Sequence, residues 1–214
     1  MAKKDDAHII SEFKKERAEA LTDGIFATVM TILVLSLVVP VITSGNIDTV
    51  LTSDLFGLLP NILTYAMSFL VLGTLWIGHN NIFRYLEKAE RHVQWINLIF
   101  LLSVGFIPFT TAILGRYPLD HISLLVYGIN LLAVAIIYNV FWAYALRQKF
   151  AHMELEIGFI KSSLKRSSVG ILIYVVGIFF SSSHPKISLG LYVMMPVYYM
   201  VVGILSRRVN REWR

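Results

Sequence analysis

Cysteine is absent from this 214-residue chain, and charged residues make up only 15% of it. The lack of cysteine excludes a disulfide scaffold, a thiolate nucleophile and zinc sites built on cysteine. The low charge excludes disorder and most soluble folds, because about a quarter of a soluble domain is charged. Hydrophobic residues make up 56% of the chain and the mean hydropathy is +0.66. This composition is typical of a membrane protein.

Motifs of the common soluble enzymes are also missing. The sequence has no phosphate-binding loop, no glycine-rich dinucleotide motif and no HExxH zinc motif. No nucleophile–base set stands out, so we predict no enzyme activity, no catalytic residues and no cofactor. The histidines are too scattered to predict a metal site. There is also no arginine-rich voltage-sensing helix and no TVGYG-type carbonyl filter.

Six long apolar runs follow a polar N-terminal segment. A helix needs about 20 mostly apolar residues to cross a membrane. The runs cover residues 21–42, 56–83, 93–115, 122–146, 167–183 and 187–206. They predict an all-α integral membrane protein with six transmembrane helices per chain. The predicted organisation is an N-terminal segment at 1–20, a six-helix transmembrane domain at 21–206 and a C-terminal tail at 207–214.

Basic residues are distributed unequally between the two sides of the membrane on which the loops and termini would lie. Of the 19 lysines and arginines, all but Arg116 and Lys186 fall on the side that holds both termini. The positive-inside rule therefore places both termini in the cytoplasm. A basic net charge of +5 is explained by these loops, and it does not indicate a nucleic-acid partner. The loops are too short to hold a separate domain for a soluble substrate.

Polar residues near the predicted cytoplasmic ends of the first two spans are candidates for a buried network. They are Arg17, Thr22, Asp23, Trp76 and His79. Ionisable groups within a span are costly, so they point to function by default. In such a network Asp23 would accept hydrogen bonds, and Arg17, His79 and Trp76 can donate them. Alternatively, Thr22 and Asp23 cap the start of the first helix and His79 is an ordinary interfacial residue. The sequence does not decide between these interpretations.

The first span also carries a mixed polar and apolar stripe. Helical periodicity places Gly24, Thr28, Thr31, Ile32, Leu35 and Val39 on one face. Threonines in membrane helices commonly bond to their own backbone or pack against a neighbouring helix. In the alternative interpretation this face lines a pore. Copies around an axis would then form hydroxyl rings at Thr28 and Thr31 and a hydrocarbon ring at Leu35.

Three segments carry a resemblance to a known family. The run from Arg17 through Leu21, Thr22 and Asp23 resembles the RxxxFSD signature of the transmembrane protein 175 family of potassium channels. The segment Trp76–His79 resembles its W-x-x-H on the second helix, and Phe106–Thr110 resembles its third-helix FxPF segment. The resemblance covers nearly the whole chain.

The resemblance implies a pore at the symmetry axis, lined by the first helix and lacking a carbonyl filter. Bacterial members with one repeat form homotetramers, so the expected partners are further copies of the chain and the lipid bilayer of the bacterial inner (plasma) membrane. The implied permeant ion is K⁺, present only transiently. The family's pore positions map to Thr28, Thr31 and Leu35. Its signature network maps to Arg17, Asp23 and His79, with Trp76.

Thr28 departs from the family pattern, which commonly has Ile or Leu at this constriction. A threonine ring would be wetter and could weaken either the gate or the selectivity. The expected function is therefore a selective or weakly selective potassium channel. Thr31 would discriminate between ions and Leu35 would gate by dewetting. The rival hypotheses are a proton-coupled secondary transporter that uses Asp23 and His79, and an inert scaffold.

Overall fold

In the computed structural model of the chain, every regular element among the described residues is a helix. The described residues are 2–42, 46–86, 91–147 and 154–211, with side chains at 15–42, 46–84, 86, 91–144, 161 and 164–201. The elements are α1 (Ala2–Leu33), the 3₁₀ helix η1 (Val34–Ser36), α2 (Ile47–Gly57), α3 (Leu59–Tyr85), α4 (Arg91–Gly105), α5 (Ile107–Arg116), α6 (His121–Arg147), α7 (Glu154–Phe180) and α8 (Pro185–Arg211). The predicted all-α class is confirmed.

Four described segments are long and apolar enough to cross a membrane. They are Lys15–Ser36, Leu59–Arg84, Arg91–Arg116 and His121–Tyr144, and they correspond to the first four predicted spans. Helices α7 and α8 contain 27 residues each. At 1.5 Å per residue this length also exceeds the roughly 30 Å of a hydrocarbon core.

The first apolar run does not remain helical to its end. Helix α1 ends at Leu33, η1 ends at Ser36, and residues 37–42 are not helical. Pro40 explains this correction. Its ring disfavours the α conformation at Val39 and would clash with the carbonyl of Ser36. The predicted stripe therefore loses helical periodicity before Val39.

Two predicted loops contain helix instead. The first outer loop forms α2, whose N-cap Asn46 accepts hydrogen bonds from the backbone N–H groups of Asp48 (3.0 Å) and Thr49 (3.4 Å). The long inner loop, predicted at 147–166, is helical from Glu154 onwards. Residues 148–153 of that loop and residues 212–214 of the predicted tail lie outside the described residues.

Prolines interrupt the second and third predicted spans. Helices α2 and α3 are separated at Leu58, and Pro60 lies in the first turn of α3. Helices α4 and α5 are separated at Phe106, and Pro108 lies in the first turn of α5. A proline is tolerated in a first turn, where backbone N–H groups have no helical acceptor. The third span, Arg91–Arg116, is therefore made of two helices, whereas the break at Leu58 separates α2 from the spanning helix α3.

The helices pack around one large apolar core and a smaller one. Both are lined by side chains that the fold buries almost completely. The large core includes Phe26, Leu33, Leu72, Phe100, Leu124 and Tyr192, and the small one includes Ile82, Phe83, Val93, Phe141 and Trp142. Helix α1 contributes to both cores along one side only. That one-sided burial positions the candidate site.

Candidate functional site

Helix α1 has a packed side and an uncovered side. Thr22, Phe26, Val29 and Leu33 are buried against the rest of the chain. The opposite side holds small and polar residues that nothing in the described part of the chain covers, namely Ala20, Gly24, Ala27, Thr28 and Thr31. A Cβ added at Gly24 would meet no atom within 4 Å. The uncovered side therefore has room for close approach by another helix or by solvent.

The two threonines of this side bond to their own helix. Thr28 Oγ1 donates to the Gly24 carbonyl at 2.8 Å, and Thr31 Oγ1 donates to the Ala27 carbonyl at 2.7 Å. This is the ordinary behaviour of threonine in a membrane helix. Both side chains nevertheless remain exposed. A hydroxyl has one proton and two lone pairs, so each oxygen can still accept from outside.

Two apolar residues follow the threonines on the same side. Ile32 lies at the edge of the uncovered side and is 46% exposed. Leu35 lies in η1 and is 73% exposed. Leu35 is followed by the non-helical segment that leads to Pro40. The uncovered side thus changes from hydroxyl to hydrocarbon where α1 ends.

Asn97 of α4 connects α1 to α3 inside the protein. Its Nδ2 donates to Thr22 Oγ1 at 3.1 Å, and its Oδ1 lies 2.8 Å from His79 Nε2. Thr22 Oγ1 in turn donates to the Ala18 carbonyl at 2.8 Å. With Nε2 of His79 carrying the proton, His79 donates to Asn97, Asn97 donates to Thr22, and Thr22 donates to the Ala18 carbonyl. All three side chains are almost completely buried.

His79 is enclosed by aromatic rings. Its imidazole stacks on Phe100 with a 5.4 Å centroid distance and lies 4.5 Å from the ring centre of Phe83. Phe141 approaches edge-on at 5.6 Å. The Nδ1 atom is buried and has no hydrogen-bond partner. The ring is therefore held by packing on its faces and by one hydrogen bond at Nε2.

A second link joins α1 to α3 at the protein surface. Trp76 Nε1 donates to Asp23 Oδ1 at 2.8 Å, and both side chains are exposed. Lys15 Nζ donates to the Leu86 carbonyl at 3.0 Å, beyond the last turn of α3. Arg17 is exposed on α1, between these two links. Helix α1 is thus tied to its neighbours at three positions, Lys15, Thr22 and Asp23.

The predicted polar residues fall into two separate groups. Thr22 and His79 meet through Asn97, while Asp23 meets Trp76. The capping alternative for Asp23 is wrong, because α1 begins at Ala2 and passes through Asp23 without a break. The interfacial alternative for His79 is also wrong, because His79 is fully buried. The sequence placed Asn97 of the third span near this zone, but Asn97 was not assigned to the network.

Comparisons with known proteins agree on one family. Residues 17–108 match the family described as Endosomal/lysosomal potassium channel TMEM175. A protein named potassium channel from Chamaesiphon minutus is 31% identical over 86% of this chain and 92% of its own length. Another so named, from a Chryseobacterium species, is 30% identical over 87% and 93%. The human protein named endosomal/lysosomal proton channel TMEM175 is 28% identical, over 68% of this chain and 31% of its own length.

Solved structures show the same likeness. The crystal structure of a lysosomal potassium-selective channel TMEM175 homologue from Chamaesiphon minutus matches with a TM-score of 0.78 at 28% identity, over 87% of this chain and 96% of that one. The potassium channel MtTMEM175 matches in fold with a TM-score of 0.63 at 16% identity, over 90% and 93%. The chain described here belongs to the TMEM175 family, whose members are membrane ion channels and not enzymes.

Proposed function

We propose that this chain is a potassium channel that conducts along the uncovered side of α1, at the axis of a homotetramer. The observation that carries the proposal is that side itself, which combines small residues, exposed hydroxyls and Leu35. In this proposal six helices per chain cross the bacterial inner (plasma) membrane, residues 1–20 and 207–214 are cytoplasmic, and K⁺ passes without a cofactor.

The composition of this side favours an axis over a lipid contact. Lipid tails cannot hydrogen bond, so lipid-facing surfaces are apolar, and small residues are typical of helix–helix interfaces. The exposed surfaces of the other spanning helices fit lipid better. Leu102, Phe109 and Leu172 are large, apolar and more than half exposed there. A side made of Ala20, Gly24, Ala27 and two threonines suits neighbouring copies and water.

Threonine oxygens can replace part of the hydration shell of K⁺. Because Thr28 and Thr31 donate their only hydroxyl protons to their own helix, their lone pairs are free to point away from it. Four copies would present rings of partial negative charge. Na⁺ holds its water more tightly than K⁺ and would lose more on entering such a ring. We assign the discrimination between K⁺ and Na⁺ to the Thr31 ring. The Thr28 ring is assigned a supporting role, as a second hydrated ring of hydroxyls.

Leu35 is assigned to the gate. Rings of hydrocarbon stop conduction by excluding water from a narrow pore. Leu35 is highly exposed and lies in the 3₁₀ turn that precedes Pro40. A segment with fewer helical hydrogen bonds can change direction more readily than the α-helix before it. Ile32 flanks the axis and narrows the passage from the side.

The polar links are assigned a bracing role. They hold α1 to α3 and α4 at Lys15, Thr22 and Asp23. A rotation of α1 about its axis would move the threonines away from the pore, and the links oppose that rotation. In this proposal Arg17 belongs to the same brace.

The proposal is tested with purified protein in liposomes and planar bilayers under opposed K⁺ and Na⁺ gradients. Unitary currents that reverse near the K⁺ equilibrium potential are expected. Slow, saturable, proton-driven uptake without unitary currents would instead support a transporter that uses Asp23 and His79. These residues share no hydrogen bond, since Asp23 bonds to Trp76 and His79 bonds to Asn97. Because vertebrate relatives are named proton channels, the recordings are also made under a pH gradient.

Substituting Thr31→Ala is expected to lower the K⁺/Na⁺ permeability ratio by about threefold to tenfold, the effect of roughly one hydrogen-bond-sized interaction. The reversal potential under bi-ionic conditions measures it. Thr31→Ser keeps the hydroxyl and should retain the ratio. Ser103→Ala is the matched control, because Ser103 is a half-buried serine of α4 whose hydroxyl likewise donates to its own helix, at 3.1 Å from the Ile99 carbonyl. An unchanged ratio in Thr31→Ala would refute the assignment.

Substituting Thr28→Ile is expected to reduce the unitary K⁺ conductance by about twofold or more, because a second hydrocarbon ring adds a dewetting barrier. Single-channel recording measures the conductance, and Thr28→Ser serves as the hydroxyl-retaining control. A conductance equal to that of the unmodified channel would show that position 28 does not narrow the pore.

A further inference from the structure

Helix α2 is well formed yet buries none of its residues. Asn46 caps its start, and Thr52 Oγ1 donates to the Asp48 carbonyl at 2.6 Å within it. Three of its large apolar side chains are exposed, Ile47 by 65%, Leu55 by 50% and Phe56 by 74%. A helix of 11 residues is marginal in water without packing. Another surface is therefore needed to cover α2.

The charge of α2 argues against a membrane surface as that cover. The helix carries Asp48 and Asp54, and no lysine or arginine occurs between Arg17 and Arg84. Helices that lie in a membrane interface typically carry lysine and arginine, which attract anionic headgroups. An acidic helix would be repelled by the same headgroups. A protein surface with positive charge suits it better.

Positively charged residues lie at the same end of the protein as α2. Asn61, near the start of α3, touches Gly115 at the end of α5, where a Cβ on Gly115 would lie 3.3 Å from the Asn61 Cα. His121 Nδ1 at the start of α6 lies 3.0 Å from Ser181 Oγ just after α7. These contacts bring α2, Arg116 and Lys186 to one end of the helices.

Arg116 and Lys186 are exposed and are opposite in charge to the two aspartates of α2. The Arg116 guanidinium lies over the ring of Tyr117, 5.9 Å from its centroid. They are also the two basic residues that the charge distribution assigns to the outer side. Within the described part of one chain, neither aspartate of α2 forms an ion pair with them.

We propose that α2 docks on the outer end of a neighbouring copy of this chain, with Asp48 and Asp54 facing that copy's Arg116 and Lys186. The inference rests on the proposed homotetramer and adds a specific contact outside the pore. In the tetramer the contact repeats around the axis, so α2 links each subunit to the next. The neighbouring subunit then covers the exposed apolar side chains of α2.

Charge reversal tests the contact in the full-length channel. The double variant Asp48→Lys/Asp54→Lys and the double variant Arg116→Glu/Lys186→Glu are each expected to weaken tetramer assembly by about tenfold, since two weak ion pairs are lost at every interface. Combining all four substitutions in one chain restores opposite charges and is expected to restore assembly. Mass photometry across a detergent-dilution series measures the tetramer fraction, and Ser53→Lys controls for a lysine placed elsewhere on α2.

The outcomes separate this inference from the proposed function. Additive weakening in the four-fold variant, or unchanged assembly in both double variants, would overturn the docking contact while leaving the tetramer in place. A membrane-bound α2 would instead show strong quenching by brominated lipid of a fluorophore attached to Phe56→Cys, the only cysteine of that variant, which would also overturn it. If the unmodified chain forms no tetramer and passes no ions, the proposed function fails as well.

Discussion

Substituting Asn97→Leu is expected to lower the free energy of unfolding by about 2–4 kcal/mol, although Asn97 carries no charge. The change removes two hydrogen bonds and leaves the buried His79 Nε2 without a partner, while Thr22 keeps its bond to the Ala18 carbonyl. Each buried group left unpaired costs about 1–3 kcal/mol. Unfolding of the detergent-solubilised protein, followed by tryptophan fluorescence in a denaturant series, measures the loss.

A double-mutant cycle distinguishes the hydrogen bond from a simple packing defect. His79→Phe places an apolar ring among Phe83, Phe100 and Phe141. Replacing both partners of a buried hydrogen bond by apolar groups can be nearly neutral, whereas replacing one cannot. The combined variant is therefore expected to lose clearly less stability than the sum of the two single variants. Strict additivity would mean that Asn97 and His79 do not interact.

The same variant links the brace to conduction. Asn97 does not line the uncovered side of α1, since it is buried behind Thr22. If the brace fixes the rotation of α1, Asn97→Leu should also change the unitary K⁺ currents of the molecules that remain folded. The current amplitude should fall, or its distribution should become wider. Normal currents in that folded fraction would limit Asn97 to a role in stability.

Features that depend on local sequence could be predicted. The apolar runs predicted the first four spanning segments, because length and hydropathy alone determine which segments can lie in lipid. Pro40 also contained the signal for the early end of α1, and Asn46 with Asp48 contained the signal for the start of α2. These two signals are short-range and were outweighed by the continuous hydropathy of the flanking residues.

For features that depend on long-range packing, the sequence indicated which residues could meet but did not determine which of them do. Trp76 and Asp23 are 53 residues apart in sequence and His79 and Asn97 are 18 apart. Similar depth predicted that such residues could meet, and depth alone does not determine the rotation of each helix. That rotation decides that Asp23 meets Trp76 at the surface while Thr22 faces inward to Asn97. Its depth placed Asn97 near the predicted network, but a neutral amide within a span gives no electrostatic signal, so Asn97 was not assigned to it.

Helices α7 and α8 pack through paired glycines and tyrosines. Gly170 and Gly177 lie seven residues apart on α7, and each receives a tyrosine of α8, Tyr199 and Tyr192 respectively. Gly128 of α6 closes the other side of Tyr192. Tyr192 is fully buried, and its hydroxyl donates to the Leu124 carbonyl at 3.2 Å. The aromatic ring is therefore held from both sides and cannot move away.

Substituting Gly177→Ala is expected to destabilise the protein by about 2–3 kcal/mol, because overpacking a well-filled core typically costs 1–3 kcal/mol. An added Cβ would lie 3.0 Å from the Tyr192 Cζ and still closer to its Cε1. Gly190→Ala is the matched control, since Gly190 lies on α8 and a Cβ there meets no atom within 4 Å. The control should be neutral or stabilising, because alanine favours the helix by about 0.5–1 kcal/mol over glycine.

The second glycine gives a sharper test of the geometry. A Cβ at Gly170 would collide with the Tyr199 hydroxyl, while the Tyr199 Cζ would lie at an ordinary 3.5 Å. Tyr199→Phe removes that hydroxyl and is expected to recover most of the stability lost in Gly170→Ala. Tyr192→Phe leaves the colliding ring carbon in place, so it is expected to recover almost none of the loss in Gly177→Ala. Equal rescue at both positions would contradict this account, because the two collisions involve different atoms of the two rings.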